Sequence, residues 1–83
     1  MQITLKLGAR LRKALPAAGS AGTAFTLVEG ARLSDLVEQL NLGEDPETLL
    51  IIVDDENVPP SGRAAFTLCD GQTVNILPPL TGG

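Results

Sequence analysis

Apolar and polar residues alternate along residues 1–7 at the start of the chain. A period of two is typical of a β-strand that buries one face. Residues 24–29 alternate in the same way and carry Phe25 and Leu27 on one face, before Gly30. The pattern therefore predicts that the two opening strands form a hairpin with a long connection.

One helix is predicted after this hairpin. Four apolar side chains follow the i, i+3, i+4, i+7 spacing of a single helical face: Leu33, Leu36, Val37 and Leu40. Such a stripe indicates a helix that packs on the inner faces of the strands. Gly43 predicts the end of the helix, because glycine readily adopts a left-handed conformation.

Two less regular segments lie between the opening strands. Residues 9–15 contain good helix formers and predict a short helical turn, which Pro16 ends. Residues 16–22 are rich in Ala, Gly and Ser, a composition typical of a flexible loop.

The second half of the chain predicts further strands. Residues 49–53 form an aliphatic, β-branched run typical of a buried strand, and residues 54–57, three acids followed by Asn57, predict a turn after it. Val58 is expected to begin a short return strand. Asp70-Gly71 predicts a tight turn before a last strand at residues 74–77.

Proline interrupts the region between these strands. Pro59-Pro60-Ser61-Gly62 is incompatible with regular strand pairing, so residues 58–65 are expected to cross the surface irregularly. The whole order is two strands, one helix and two or three more strands, which indicates an α+β fold. Residues 1–77 are predicted to form this domain, and residues 78–83 a flexible tail.

Composition narrows the functional classes. The chain has 83 residues, which fits one domain, and contains two Phe without Tyr or Trp. The first thirteen residues carry four cations, whereas the remainder has two cations and ten acids, so the net charge of −4 is unevenly distributed. This acidity and the scarcity of aromatic rings argue against nucleic acid as a partner. A basic patch on a protein partner is a better electrostatic match.

The chain lacks the catalytic side chains that most enzyme classes use. There is no His, and Cys69 stands alone, so Cys/His and Ser/His pairs, a usual zinc site and an intrachain disulfide are all excluded. Cys69 is expected to pack inward beside its turn. Asp54, Asp55 and Glu56 are expected to form a charged turn rather than a cation site. We expect no bound cofactor, no membrane segment and a soluble, cytoplasmic protein.

The C-terminus offers a different kind of chemistry. After the stiffening Pro78 and Pro79, the chain ends in Gly82-Gly83, which present a main-chain carboxylate without a Cβ. A carboxylate is a poor electrophile, but as a mixed anhydride with AMP it would react with sulfide or a persulfide to leave a thiocarboxylate. Linkers also end in Gly-Gly, so these two residues alone do not show that the C-terminus carries this chemistry.

Four stretches resemble the ThiS/MoaD family of ubiquitin-like sulfur carrier proteins. Residues 1–5 resemble the opening of ThiS proteins, and residues 7–15 resemble the "FARLREALG" stretch of MoaD proteins. Residues 33–40 are similar to their "TVADLLEEL" helix. The ending at residues 70–83 is similar to the MoaD pattern "DGDEVAFLPPVSGG". The resemblance covers nearly the whole chain in order and is closer to MoaD.

The resemblance implies a β-grasp fold, with a mixed sheet of four to five strands and one main helix on one face. It implies that the chain is a carrier rather than an enzyme, although MoaD-type carriers are small subunits of molybdopterin synthase. Gly83 would be adenylated and converted to a thiocarboxylate, with Gly82 as its slender approach. Residues near the exit are expected to contact partners: Leu77, Pro78, Pro79, Leu80 and Thr81.

The implied partners are a MoeB/ThiF-like adenylyltransferase, which uses ATP, and a MoaE-like subunit that receives sulfur for molybdopterin or tungstopterin. A ThiS-like role with thiazole synthase is an alternative. A ubiquitin-like protein modifier or binding module is another, with the tail in an isopeptide bond or docked in a groove. Residues 16–22, 54–57 and 59–62 depart from the MoaD pattern and leave the pathway open.

Overall fold

The computed structural model of the chain describes residues 1–12, 22–43 and 45–78. One sheet contains five strands: β1 (Gln2–Leu7), β2 (Thr23–Thr26), β3 (Leu50–Val53), β4 (Glu56–Asn57) and β5 (Thr73–Leu77). The described residues also contain one α-helix, α1 (Leu33–Leu40), and three 3-10 helices: Ala9–Leu11, Pro46–Thr48 and Pro60–Ala65. The predicted α+β class is confirmed.

The strands lie in the order β2-β1-β5-β3-β4. β1 pairs with β2 and β3 pairs with β4 as antiparallel hairpins, while β1 and β5 run parallel at the centre. This mixed sheet with one main helix is the ubiquitin-like β-grasp that the sequence predicted. The predicted hairpin of the two opening strands is confirmed by the register of Ile3 opposite Phe25.

Alternation along the strands separates a buried face from an open one. The buried face and α1 form the core together, and its most deeply buried side chains are Ile3, Leu5, Leu33, Leu36, Ile51, Ile76, Val53 and Val74. We call the opposite surface of the sheet the open face. Its residues on the three central strands are Thr4, Lys6, Leu50, Ile52, Asn75 and Leu77. Burial on one face alone explains the alternation along β1, β3 and β5.

Element boundaries differ from the predictions in the first half. The second strand ends at Thr26, because the chain turns at Val28, whose carbonyl accepts a hydrogen bond from the Ala31 amide. The helix covers Leu33–Leu40, as the apolar stripe predicted, but it is ended by Asn41 and not by Gly43. Asn41 has a φ of 50°, the left-handed conformation that Asn tolerates better than most residues.

The second half contains three further corrections. The return strand β4 precedes Val58, because Asp54 and Asp55 form a two-residue turn with φ values of 47° and 70° that reverses the chain early. The Pro60–Ala65 segment is a 3-10 helix and not irregular, since proline suits a first helical turn. The aliphatic run is half-buried, with Leu50 exposed on the open face.

The short helical turn predicted at residues 9–15 is confirmed at Ala9–Leu11. Residues 13–15 of that turn and residues 16–21 of the predicted loop lie outside the described residues. The tight turn at Asp70 and Gly71 and the last strand are confirmed, and Gly71 has the positive φ of 86° that favours glycine there.

Arg63 is buried on the side of the sheet that α1 covers. It connects the 3-10 helix Pro60–Ala65 to the 3-10 helix Pro46–Thr48. Arg63 donates from Nε to the Val58 carbonyl at 3.2 Å, and its Nη1 and Nη2 donate to the carbonyls of Pro46 and Leu49. Burial lowers the pKa of this guanidinium from its ordinary value, because removal from water disfavours the charged form. The three carbonyl acceptors offset that loss of hydration. No pattern in the sequence predicted this role.

We expect Arg63→Met to lower the free energy of unfolding by about 2–4 kcal/mol, because three carbonyl groups lose their donors. Arg32→Met is the matched control, since Arg32 is exposed and its guanidinium donates to the Ala64 carbonyl alone. The control should change stability by about 0.5 kcal/mol or less. Urea unfolding followed by circular dichroism measures both variants, and equal effects would contradict the proposed importance of Arg63.

Candidate functional site

The C-terminal end of β5 emerges at the centre of the sheet. β1 lies on one side, with Leu7 opposite Ile76, and β3 lies on the other, with Leu50 opposite Leu77. The Gly8 amide donates to the Ile76 carbonyl at 2.8 Å, one residue past the end of β1. The backbone just before the tail is therefore held by a hydrogen bond at the end of the β1–β5 pairing.

Gly8 lies against the first residue of the tail. A Cβ on Gly8 would be 2.6 Å from Cδ of Pro78 and 3.4 Å from Cδ2 of Leu77. The first distance is far shorter than a van der Waals contact. Gly8 has an ordinary extended conformation, with φ of −60°, so the need for glycine comes from this close approach and not from its backbone angles.

An apolar patch surrounds the exit on the open face. We call Leu50, Ile52, Leu77 and Pro78 the exit patch; Leu50 is 37% exposed, and the other three are half-buried. The register places Leu50 beside Leu77, and Ile52 one step further along β3. Sequence analysis named Leu77 and Pro78 as partner contacts but missed Leu50 and Ile52, because the aliphatic run was interpreted as fully buried.

Charge differs between the two ends of the sheet. Near the exit, the turn after β1 carries Arg10 and Arg12, and Nε of Arg12 donates to the Leu7 carbonyl at 3.1 Å. At the opposite end, Asp54 accepts from the Thr73 amide at 2.9 Å, and Asp70 accepts from the Gln2 amide at 2.6 Å. Arginines therefore lie beside the exit of the tail, while these carboxylates lie at the far end of β5.

The remaining predicted site residues lie outside the described residues: Pro79, Leu80, Thr81, Gly82 and Gly83. Their roles, and the division into a domain of residues 1–77 and a tail of residues 78–83, stay predictions.

Cys69 is exposed, so the prediction that it packs inward is wrong. Its amide donates to Oε1 of Gln72, which holds the thiol residue in the surface turn before β5. Asp54 and Asp55 form the predicted charged turn. Across residues 1–12, 22–43 and 45–78, no cluster of three or more His, Cys, Asp or Glu is placed to hold a metal ion. No described helix is long and apolar enough to span a bilayer.

Comparison with protein families places this geometry in context. The model of the ThiS family matches residues 7–83, from the end of β1 to the last glycine. The chain belongs to the ThiS family. A search of curated proteins gives no significant match.

Solved structures share the fold of this chain. A putative molybdopterin converting factor, subunit 1, from Pyrococcus furiosus is 25% identical, with a TM-score of 0.74 over 96% of this chain and 99% of that chain. ThiS from Geobacter metallireducens is 19% identical, with a TM-score of 0.70 over the full length of both chains. SAMP1 from Haloferax volcanii is 17% identical, again with a TM-score of 0.70 over both whole chains. The last two show the fold alone.

ThiS-family proteins are small ubiquitin-like sulfur carriers, which work with activating enzymes and partner subunits and are not enzymes themselves. This agrees with the inventory of the chain, which has no His and only one Cys. The family match also extends through the tail residues that the sequence analysis singled out.

We expect Gly8→Ala to reduce the free energy of unfolding by about 1–3 kcal/mol, because the new methyl group must displace the ring of Pro78. Gly62→Ala is the matched control, since a Cβ there would be 3.7 Å from the nearest atom, Cγ1 of Val58. The control should be neutral within about 0.5 kcal/mol. Urea unfolding measures stability, and the amide shift of Leu77 reports displacement at the exit. An unchanged Leu77 shift in Gly8→Ala would contradict the role of Gly8.

Proposed function

We propose that the chain carries sulfur as a thiocarboxylate on Gly83, for the biosynthesis of molybdopterin or tungstopterin. The observation that carries this proposal is the family match, which runs from Leu7 at the centre of the sheet through Gly83. The fixed exit at Gly8 and Pro78 supports it, because the residues that precede the proposed site are held at the end of the sheet.

The proposed chemistry has two steps, and partner proteins supply the catalytic groups. The Gly83 carboxylate attacks the α-phosphorus of ATP and releases pyrophosphate, which forms an acyl adenylate. Sulfide then attacks the carbonyl carbon and releases AMP, leaving a thiocarboxylate; a protein persulfide as donor would also need a thiol to cleave the acyl disulfide. Gly82 and Gly83 have no side chain to obstruct the approach of the carboxylate to an enclosed active site.

The assignment of the pathway rests on the similarity to the Pyrococcus furiosus protein. That protein is described as a subunit of a molybdopterin converting factor, and it covers nearly all of this chain. By analogy, this chain would be activated by a MoeB/ThiF-like adenylyltransferase that consumes ATP, and would then act as small subunit with a MoaE-like protein. The likeness to ThiS from Geobacter metallireducens favours the alternative, delivery to a thiazole synthase.

A protein modifier is a second candidate. The likeness to SAMP1 of Haloferax volcanii, also described as small archaeal modifier protein 1, favours it. The same acyl adenylate would then be attacked by a lysine of a target, forming an isopeptide bond instead of a thiocarboxylate. The chain itself contains only two lysines, Lys6 and Lys13, so few acceptors for self-conjugation are present.

The exit patch gives the partners a surface beside the reacting group. Leu50 and Leu77 present apolar side chains on the open face, and burial of exposed apolar area is a main source of affinity in protein interfaces. Pro79, Leu80 and Thr81 continue from this patch toward the two glycines and are proposed to bind in the same partner groove.

Thiocarboxylate formation is tested by intact mass. The chain is incubated with ATP, a cognate activating enzyme and sulfide, and the expected product is heavier by the replacement of one oxygen with sulfur. Deletion of Gly83 should abolish this product, while Cys69→Ser should leave it unchanged, because the thiol is at the far end of the sheet.

Two outcomes would count against the sulfur carrier. Retention of the unmodified mass, with AMP not released, would contradict activation of the tail. Accumulation of lysine-linked adducts in cell extract, without a thiocarboxylate, would instead support the modifier.

The exit patch is tested with a matched pair of variants. Leu50→Lys should slow thiocarboxylate formation by about tenfold, because it places a charge in the proposed contact with the activating enzyme. Val28→Lys is the control, since Val28 is 77% exposed and lies near the other end of the sheet, beside the start of β1. The rate of thiocarboxylate formation is measured by mass spectrometry of quenched samples. Equal rates for the two variants would remove the exit patch from the mechanism.

A further inference from the structure

The sequence contains one motif that sulfur carriage does not use, Pro59-Pro60-Ser61-Gly62, which departs from the MoaD pattern. In the structure it leads into the Pro60–Ala65 3-10 helix, which packs beside α1 on the side of the sheet opposite the exit patch. This placement separates the motif from the tail and gives it a surface of its own.

A groove of about 340 Å³ lies between α1 and the two 3-10 helices at Pro46–Thr48 and Pro60–Ala65. We call it the helix-side groove. Its apolar lining includes Val37, Pro46, Pro60 and Ala64, and its acidic lining consists of Glu38 and Glu47. Both glutamates are exposed, so the groove combines apolar walls with a negatively charged rim.

The walls of the helix-side groove are fixed in the free chain. Arg63, which also lines the groove, holds the Pro46 and Leu49 carbonyls on one side and the Val58 carbonyl on the other. Its donors are therefore directed to the protein backbone. A groove with walls set by buried hydrogen bonds loses little conformational entropy when a ligand binds.

The charge around the groove selects the kind of partner. Asp35 and Asp45 are exposed on the same two segments as Glu38 and Glu47, which adds to the negative potential. Arg32 is the exposed cation of these segments and lies at the N-terminal end of α1, where it donates to the Ala64 carbonyl. With the buried Arg63 of the lining as the second cation, the four carboxylates still outnumber two guanidinium groups, and this negative balance favours a positively charged ligand.

We propose that the helix-side groove docks a partner protein through an apolar side chain on a segment rich in Lys or Arg. The apolar side chain packs against Val37, Pro46, Pro60 and Ala64, and the basic neighbours face Glu38 and Glu47. Because α1 covers the sheet face opposite the exit patch, this partner binds while the exit patch contacts the activating enzyme or an acceptor. The proposal does not depend on which group reacts at Gly83.

The test uses the full-length isotope-labelled chain and two blocked synthetic peptides, Lys-Arg-Leu-Ile-Lys-Arg and Glu-Asp-Leu-Ile-Glu-Asp. The basic peptide should give saturable amide shifts at residues 34–38, 47–48 and 61–65, without shifts at Leu50 or Leu77. The acidic peptide should not bind. Shifts confined to the open face, or equal shifts with both peptides, would overturn the proposal.

Two sets of variants sharpen the result. Glu38→Lys/Glu47→Lys should weaken the basic peptide by about tenfold and gain binding of the acidic one, whereas the charge-matched Glu29→Lys/Glu56→Lys should leave both unchanged. Ala64→Gln should weaken binding by obstructing the groove without a change of charge. Full affinity for the basic peptide in Glu38→Lys/Glu47→Lys and in Ala64→Gln would contradict the groove.

A second copy of the chain is the competing occupant. Self-association through the helix-side groove would give shifts at the same amides that depend on protein concentration in the absence of peptide. That result would overturn the proposal of a basic partner. Sedimentation of the labelled chain would confirm the self-association.

Discussion

β1 lies parallel to β5 at the centre of the sheet, from the pair Thr4 and Thr73 to the pair Leu7 and Ile76. These strands are far apart in sequence, so their pairing requires closure of almost the whole chain. Once they pair, their buried faces form the floor on which α1 packs, and their outer edges pair with β2 and β3. Their parallel direction also brings the turn after β1 beside the C-terminal end of β5, which is where the proposed chemistry starts.

The two sides of the sheet are suited to different contacts. The open face carries the exit patch beside the tail, where apolar side chains that the core cannot cover remain available to partners. The helix side carries a groove whose walls depend on Arg63 and whose rim is acidic. A carrier must meet an activating enzyme and an acceptor in succession. Two separate surfaces would allow one protein to hold the domain while another reaches the tail.

Position in the sheet also explains why the described side chains include no catalytic set. The Cys69 thiol lies in the turn before β5, at the end of the strand opposite the exit. The acidic turn at Asp54 and Asp55 lies at that same far end. Near the exit lie the apolar side chains of Leu50, Leu77 and Pro78, and the turn after β1 adds Arg10 and Arg12. ThiS-family proteins work with activating enzymes.

The pattern of the sequence determined the local elements. Period-two alternation identified β1 and β2, the stripe from Leu33 to Leu40 identified α1, and Asp70-Gly71 predicted the turn before β5, because each signal depends only on neighbouring residues. Gly82-Gly83 led to the hypothesis of chemistry at the tail carboxylate. The tertiary structure decided what depends on distant contacts. Arg63 is buried among three backbone carbonyls, Gly8 is required by Pro78, and Leu50 is exposed on the open face of β3. No local pattern encodes those contacts, since their partners are separated by up to seventy residues along the chain.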